Sequence, residues 1–187
     1  MVYLLIALEQ EFKESVFTHK KLKIKYTGVG KINATMGALN AANQNDCDYI
    51  LNYGTAGTFN KNLIGKLLTV DNVMQRDMDA RPISPLGITP FENHIFSGAL
   101  KLTGKEKISL SSGDNFVMKN PELKSDLVDM EGYAIAKVAT KFCKKIIIKK
   151  YVTDLANDDA SEDWIKNCQN GQEIFKNWLQ LFLHNYP

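Results

Sequence analysis

Cysteine and histidine, which reactive and metal sites often use, occur only three times each in this chain of 187 residues. The cysteines are odd in number and have no C-x-x-C spacing, which argues against a disulfide framework and a thiolate metal site. The histidines lie apart from every polar cluster described below, so we expect neither a histidine base nor a metal. This composition predicts a reducing compartment and no disulfide.

Arginine is also scarce, since Arg76 and Arg81 are the only two. The 23 basic and 21 acidic residues are interspersed and leave a net charge of +2, so there is no electrostatic footprint for nucleic acid. Phosphate is often held by the arginine fork. Arg76 therefore remains as the candidate for a phosphate ligand, and we expect no nucleic-acid partner.

Long apolar runs are missing as well. No run reaches the roughly 18 residues that a membrane span needs, and the apolar opening of residues 2–8 is too short for a signal peptide. We therefore expect a cytoplasmic protein without a membrane partner. The hydrophobic content of 44% suits one well-packed domain over residues 1–187.

Strands alternate with helices in the hydrophobic pattern, which predicts an α/β fold around a mixed or mostly parallel sheet. Predicted strands cover residues 2–8, 22–27, 48–53, 67–73, 95–100, 107–111 and 145–152. Predicted helices cover residues 9–16, 31–43, 131–142 and 162–184. Residues 82–93 read as a loop that covers a pocket or meets another subunit. The Gly28-Val29-Gly30 turn does not indicate a dinucleotide site, because Asn33 replaces the third glycine of G-x-G-x-x-G.

Three carboxylates lie at predicted strand ends: Glu11 and Asp154 follow strands named above, and Glu131 ends the apolar approach from Val128, where a strand should give way to a helix. Ligands of open α/β sheets collect at such strand ends, and one carboxylate there can accept hydrogen bonds from two vicinal hydroxyls. The ordinary explanation for Glu11 and Glu131 is that acidic residues favour helix starts. The strand ends therefore suggest a shared site but do not by themselves establish one.

Two further turns follow strands. Gly54-Thr55-Ala56-Gly57 offers close backbone approach and one hydroxyl, either for a ligand or as a simple tight connection. The second turn covers residues 111–117, and its Phe116 can stack on a flat ring or belong to the core. A pocket with three carboxylates and no cysteine, histidine or metal suits cleavage of a bond whose transition state is an electron-poor sugar.

The ordered motifs resemble those of the purine nucleoside phosphorylase/nucleosidase superfamily, most closely 5′-methylthioadenosine/S-adenosylhomocysteine nucleosidases. The motifs are Ala7-Leu8-Glu9-Gln10-Glu11, Gly28-Val29-Gly30-Lys31, Asn52-Tyr53-Gly54-Thr55-Ala56-Gly57, Ser112-Gly113-Asp114-Asn115-Phe116-Val117, Val128-Asp129-Met130-Glu131 and Thr153-Asp154. The resemblance implies a three-layer α/β sandwich around a mixed, partly barrelled sheet. Relative to that family this chain is shortened, mostly between residues 80 and 125. The resemblance also implies no cofactor, a purine nucleoside as ligand and a homodimer.

The resemblance further implies roles for single residues. Asp154 would protonate N7 of the purine, and Glu11 would hold the attacking water near Thr55. Glu131 would bind the ribose hydroxyls, with Asp129 and Met130 beside it in the same motif. Phe116 and Val117 would contact the base.

The nucleophile is predicted to be water, because Glu9 and Glu11 at the first strand end would repel a phosphate dianion. Two alternatives stay open at this point. Arg76 would serve phosphate in a phosphorylase, and a catalytically silent member would only bind a nucleoside.

Overall fold

The computed structural model describes residues 1–102, 107–157 and 160–186, and the described parts alternate strands and helices over most of their length. The strands are β1 (Val2–Ile6), β2 (Leu22–Tyr26), β3 (Tyr49–Thr58), β4 (Leu67–Gln75), β5 (Leu100–Lys101), β6 (Ile108–Ser112), β7 (Leu127–Asp129) and β8 (Lys145–Leu155). The α-helices are α1 (Lys31–Ala42), α2 (His94–Ser97), α3 (Gly132–Lys141), α4 (Ala160–Asn167) and α5 (Gln172–His184). None of these helices is long and apolar enough to cross a membrane.

The eight strands form one mixed sheet in the order β2-β1-β3-β7-β6-β4-β5, and β8 pairs with both β3 and β4. The strands β3, β7, β6, β4 and β8 therefore close into a ring. β1 and β2 extend the sheet from β3 by parallel pairing. This arrangement confirms the predicted α/β fold around a mixed, partly barrelled sheet.

Helices cover the sheet on two sides. Alanines at one face of α1 pack against α3 and the strands β1 and β3, and their small side chains let the helices approach closely. On the other side, Phe175, Leu179 and Leu183 of α5 pack against β1, β3 and β8. The interior of the ring is filled by side chains such as Val73, Leu110 and Ile148. These layers hold the strand ends in fixed relative positions.

The helix predicted for residues 9–16 is wrong, because only Glu14–Val16 forms a short 3-10 turn. The side chains of Glu11 and Phe12 are instead buried, and Glu11 accepts a hydrogen bond from the backbone amide of Leu8. Because both of these adjacent side chains are buried, the segment forms a turn instead of a helix. The turn delivers Glu11 to the end of the sheet.

Two strands run further than predicted. The Gly54 to Gly57 segment is part of β3, where it pairs residue by residue with β8 and contains a bulge at Ala56/Gly57. It is therefore not a turn. β8 likewise continues through Thr153 and Asp154 to Leu155.

One strand prediction and one helix prediction also need correction. Of the strand predicted for residues 95–100, only Leu100 lies in a strand, β5, because the Asn93 side chain accepts a hydrogen bond from the amide of Ile95 and starts α2. The single helix predicted for residues 162–184 is two helices, α4 and α5. The break precedes Gly171, where a Cβ atom would lie 2.5 Å from Cγ of Tyr151, so the chain passes too close to the sheet for a larger residue.

Candidate active site

A pocket of about 320 Å³ lies beyond the ends of the strands, at the edge where the motif residues meet. Its lining includes all nine residues that sequence reasoning selected for the site: Glu11, Thr55, Arg76, Phe116, Val117, Asp129, Met130, Glu131 and Asp154. They come from six separate parts of the chain, after or within β1, β3, β4, β6, β7 and β8. The fold therefore brings these residues together as predicted, while their roles stay predictions.

Glu11 is buried and held by three hydrogen bonds. Its Oε1 accepts from both the amide and the hydroxyl of Thr55, each at 2.7 Å, and its Oε2 accepts from the amide of Leu8 at 3.2 Å. Gly54 makes this approach possible, because a Cβ at that position would lie 3.2 Å from the same Oε1. The carboxylate is thus fixed in one orientation at the pocket wall.

Glu131 lies at the N-cap of α3, as predicted, but its side chain makes no capping hydrogen bond to the helix. Its Oε1 accepts a hydrogen bond of 2.9 Å from the amide of Gly30. Gly30 has φ of 91°, a left-handed conformation that favours glycine. Burial, reinforced by the nearby charge of Asp129, raises the pKa of Glu131 to about 7. The site therefore contains a carboxyl group that exchanges its proton near neutral pH.

A buried ion pair supports this wall. Nζ of Lys150 lies 2.8 Å from Oδ2 of Asp129, and both side chains are about 1% exposed. The same carboxylate accepts hydrogen bonds from the hydroxyl of Ser112 and the amide of Gly132. Burial works against the charge of Asp129, but the attraction of Lys150 and the hydrogen bonds from Lys150, Ser112 and Gly132 together outweigh it and lower the pKa of Asp129. The carboxylate of Asp129 is thus engaged within the protein, which favours a supporting role over the predicted contact with substrate.

Asp154 is the residue before the last in β8, and its side chain is buried. The hydroxyl of Thr153 donates to its Oδ2. Its Oδ1 lies 2.9 Å from the point where Gly57 would carry a Cβ, so the glycine admits this carboxyl group against β3. Asp154 and Glu11 therefore flank β3 from its two neighbours, β8 and the segment after β1.

Arg76 lines the pocket but uses its guanidinium to bind the backbone. Nη1 donates to the carbonyls of Ser111 and Asp129, and Nη2 donates to those of Gly113 and Asn115. Two of these carbonyls lie in β6 and β7 and two in the loop after β6, so Arg76 fixes the loop that carries Phe116 to the sheet. This geometry does not favour the predicted role of Arg76 as a phosphate ligand.

An apolar wall completes the pocket. Phe116 exposes 47% of its surface although it lines the cavity, whereas Val117 is buried and Met130 is partly buried. An exposed ring at a pocket wall is placed for stacking rather than for core packing. Trp164 of α4 also lines the pocket and donates from Nε1 to Oγ1 of Thr55 at 2.8 Å. The periodicity of a helix could not reveal that contact.

Comparisons with known proteins bear on this geometry. No protein-family model matches the chain. An aminodeoxyfutalosine nucleosidase of Helicobacter pylori strain J99 is 29% identical over 171 residues, covering 80% of this chain and 74% of the relative. A 5′-methylthioadenosine/S-adenosylhomocysteine nucleosidase of Staphylococcus saprophyticus is 28% identical over 163 residues, covering 75% of this chain and 72% of the relative. The resemblance inferred from the motifs is confirmed.

Solved structures agree on the fold. A futalosine hydrolase mutant of Helicobacter pylori strain 26695 superposes with a TM-score of 0.84 at 19% identity, covering 96% of this chain and 98% of that one. A Helicobacter pylori nucleosidase mutant with 5′-methylthioadenosine in its active site superposes with the same TM-score of 0.84 at 20% identity, covering 96% and 97%. The chain is a homologue of nucleosidases in this superfamily, which confirms the predicted enzyme class, an N-glycosidase.

Proposed function

We propose that this protein hydrolyses the N-glycosidic bond of a purine nucleoside, with Glu11 holding the attacking water. The observation that carries the proposal is the fixed orientation of Glu11, whose Oε1 takes both hydrogen bonds from Thr55 while Oε2 takes one from Leu8. A carboxylate oxygen with remaining acceptor capacity can orient a water molecule and accept its proton. Glu11 therefore suits a general base.

Asp154 and Glu131 have complementary roles in the proposal. Asp154 protonates the purine at N7, so that the base leaves neutral while positive charge develops on the sugar. Glu131 accepts hydrogen bonds from the ribose hydroxyls, with Met130 against the sugar and Phe116 and Val117 against the base. Hydrogen bonds from two hydroxyls favour the ionised form of Glu131, so nucleoside binding releases a proton from this group below about pH 7.

The cations near the site are already paired within the protein, which favours water over phosphate as the nucleophile. Among the described residues that line the pocket, Arg76 is the only cation, and its guanidinium donates to four backbone carbonyls. Lys150 is paired with Asp129 behind the wall. A phosphate dianion in this pocket would face Glu11 without a cation directed at it, which is unfavourable.

The substrate class follows from the relatives, whose names specify 5′-methylthioadenosine, S-adenosylhomocysteine and aminodeoxyfutalosine. We propose a purine nucleoside of this type, with a substituent at the 5′ position. The test is release of free base from these three nucleosides and from adenosine, inosine and guanosine, each with and without phosphate. We expect release without phosphate that Glu11→Gln abolishes. Strict dependence on phosphate, or no release at all, would contradict the proposal.

We also propose that the protein forms a homodimer, as the resemblance implies. A groove between α1 and α3 carries the exposed side chains of Ile32, which is 75% exposed, and Phe142, which is 39% exposed. An apolar groove of this kind suits a protein contact. Sedimentation analysis of the wild type and of Ile32→Glu tests this idea, and a wild type that remains monomeric would contradict it.

A further inference from the structure

One hydrogen bond at the pocket has no part in the proposed mechanism. Nε1 of Trp164, on α4, donates to Oγ1 of Thr55 at 2.8 Å. Trp164 is partly buried and lines the same pocket as Glu11. A tryptophan that only filled space would not need its single polar atom directed at this hydroxyl.

The hydrogen bond restricts the direction of the Thr55 proton. A hydroxyl has one proton to donate and two lone pairs, and it rotates to suit its partners. The Trp164 N–H occupies one lone pair of Oγ1, so the proton is left to point at Oε1 of Glu11, 2.7 Å away. Trp164 thus acts on the orientation of Glu11 without touching it.

The consequence for Glu11 is a distinction between its two oxygens. Oε1 receives two donors, the amide and hydroxyl of Thr55, which fills its lone pairs. Oε2 receives one donor among the described residues, the amide of Leu8 at a longer 3.2 Å. Oε2 is therefore the oxygen with capacity for the proton of a bound water.

The helix that carries Trp164 is itself fixed to the sheet at a second point. Nδ2 of Asn167 donates to the carbonyl of Thr153 at 3.1 Å, immediately before Asp154. Trp164 and Asn167 are three residues apart, so they lie on the same face of α4. This anchor keeps the indole within reach of Thr55.

We propose that Trp164 is a positioning residue for Glu11, acting through the Thr55 hydroxyl so that Oε2 faces the attacking water. The proposal rests on the proposed hydrolytic function. It predicts that the indole N–H, rather than the aromatic ring alone, is needed for full turnover.

A double-mutant cycle tests the proposal. Trp164→Phe keeps most of the ring and removes the N–H, and we expect it to lower kcat about tenfold, as loss of one hydrogen bond predicts, with KM within about twofold. In a Thr55→Val background, which lacks the hydroxyl, the same change should have almost no further effect. In a Thr55→Ser background, which restores the hydroxyl, the loss should return. Trp178→Phe, on α5, is the control and should keep wild-type kinetics.

Two kinetic results would overturn the proposal. An equal loss from Trp164→Phe in the wild-type and Thr55→Val backgrounds would show that the tryptophan does not act through Thr55. A rise in KM with kcat unchanged would make Trp164 a substrate contact only.

A separate readout distinguishes this proposal from the proposed function. The indole N–H resonance of Trp164 in ¹⁵N-labelled protein should move upfield in Thr55→Val, while that of Trp178 keeps its position. An unchanged Trp164 resonance would overturn the proposal whether or not the protein is active. Absence of base release from every nucleoside, with the resonance shift present, would instead contradict hydrolysis and leave the hydrogen bond established.

Discussion

Replacing Glu131 by glutamine should stabilise the protein at alkaline pH while damaging its function. The carboxyl group is buried and close to Asp129, and its pKa is raised from an ordinary value of 4.5 to about 7. Glutamine has the same shape and no charge. Its Oε1 can still accept the hydrogen bond that Gly30 donates to Glu131. The substitution therefore isolates the cost of the buried charge.

The size and sign of the effect follow from proton linkage. Below pH 4.5 the folded and unfolded chains both hold the proton of Glu131. Between pH 4.5 and about 7 only the folded chain keeps it, so the free energy of unfolding of the wild type falls as pH rises through this window. The loss is complete above the folded pKa and amounts to about 3 kcal/mol, since one pKa unit is worth about 1.4 kcal/mol.

Urea unfolding at about pH 5 and about pH 8 measures this difference. The free energy of unfolding of Glu131→Gln minus that of the wild type should increase by up to about 3 kcal/mol from the lower to the higher pH. Glu173→Gln is the matched control, because Glu173 is 70% exposed, and it should change stability by less than about 0.5 kcal/mol at both values. A stability difference between Glu131→Gln and wild type that stays the same at both pH values would refute the reasoning.

Three other substitutions give sharp expectations. Lys150→Met leaves Asp129 buried without its cation and should lower the free energy of unfolding, measured in urea, by about 3 to 5 kcal/mol. Lys166→Met breaks an exposed ion pair and should lower it by less than about 1 kcal/mol. Equal losses would contradict the assignment of the buried pair. Asp154→Asn should abolish turnover while calorimetry still detects nucleoside binding, and unchanged turnover would rule out Asp154 as the acid. Gly171→Ala should lower stability by about 1 to 3 kcal/mol, because the added Cβ would lie 2.5 Å from Cγ of Tyr151, and a thermal melt like that of the wild type would contradict this close packing.

Much of the fold could be predicted because its strands are short apolar runs between helices with a clear period. Where prediction failed, tertiary contacts overruled local preference. The Gly54 to Gly57 segment has the composition of a turn, yet pairing with β8 on one side keeps it extended. Residues 9–13 have the acidic composition of a helix start, yet burial of Glu11 and Phe12 holds them in a turn.

The site could be located from the sequence because the motif residues lie near or just after the carboxyl ends of strands, and strand ends meet at one edge. The partners of those residues could not be predicted. Lys150 and Asp129 lie 21 positions apart and meet only because β8 and β7 both border β3. Arg76 stayed open as a phosphate ligand because nothing in the sequence indicates the four carbonyls to which it donates. Trp164 has a helical spacing typical of the core, and its hydrogen bond to Thr55 depends on where α4 lies.

Product analysis in the presence of phosphate tests the central claim most directly. In the proposed mechanism Glu11 delivers water to the sugar, and none of the described residues that line the pocket directs a cation at a phosphate. Incubation of 5′-methylthioadenosine, or whichever nucleoside is cleaved fastest, should yield free base and free sugar even when phosphate is abundant. A sugar 1-phosphate as the product would contradict the role of Glu11 and assign phosphate as the nucleophile.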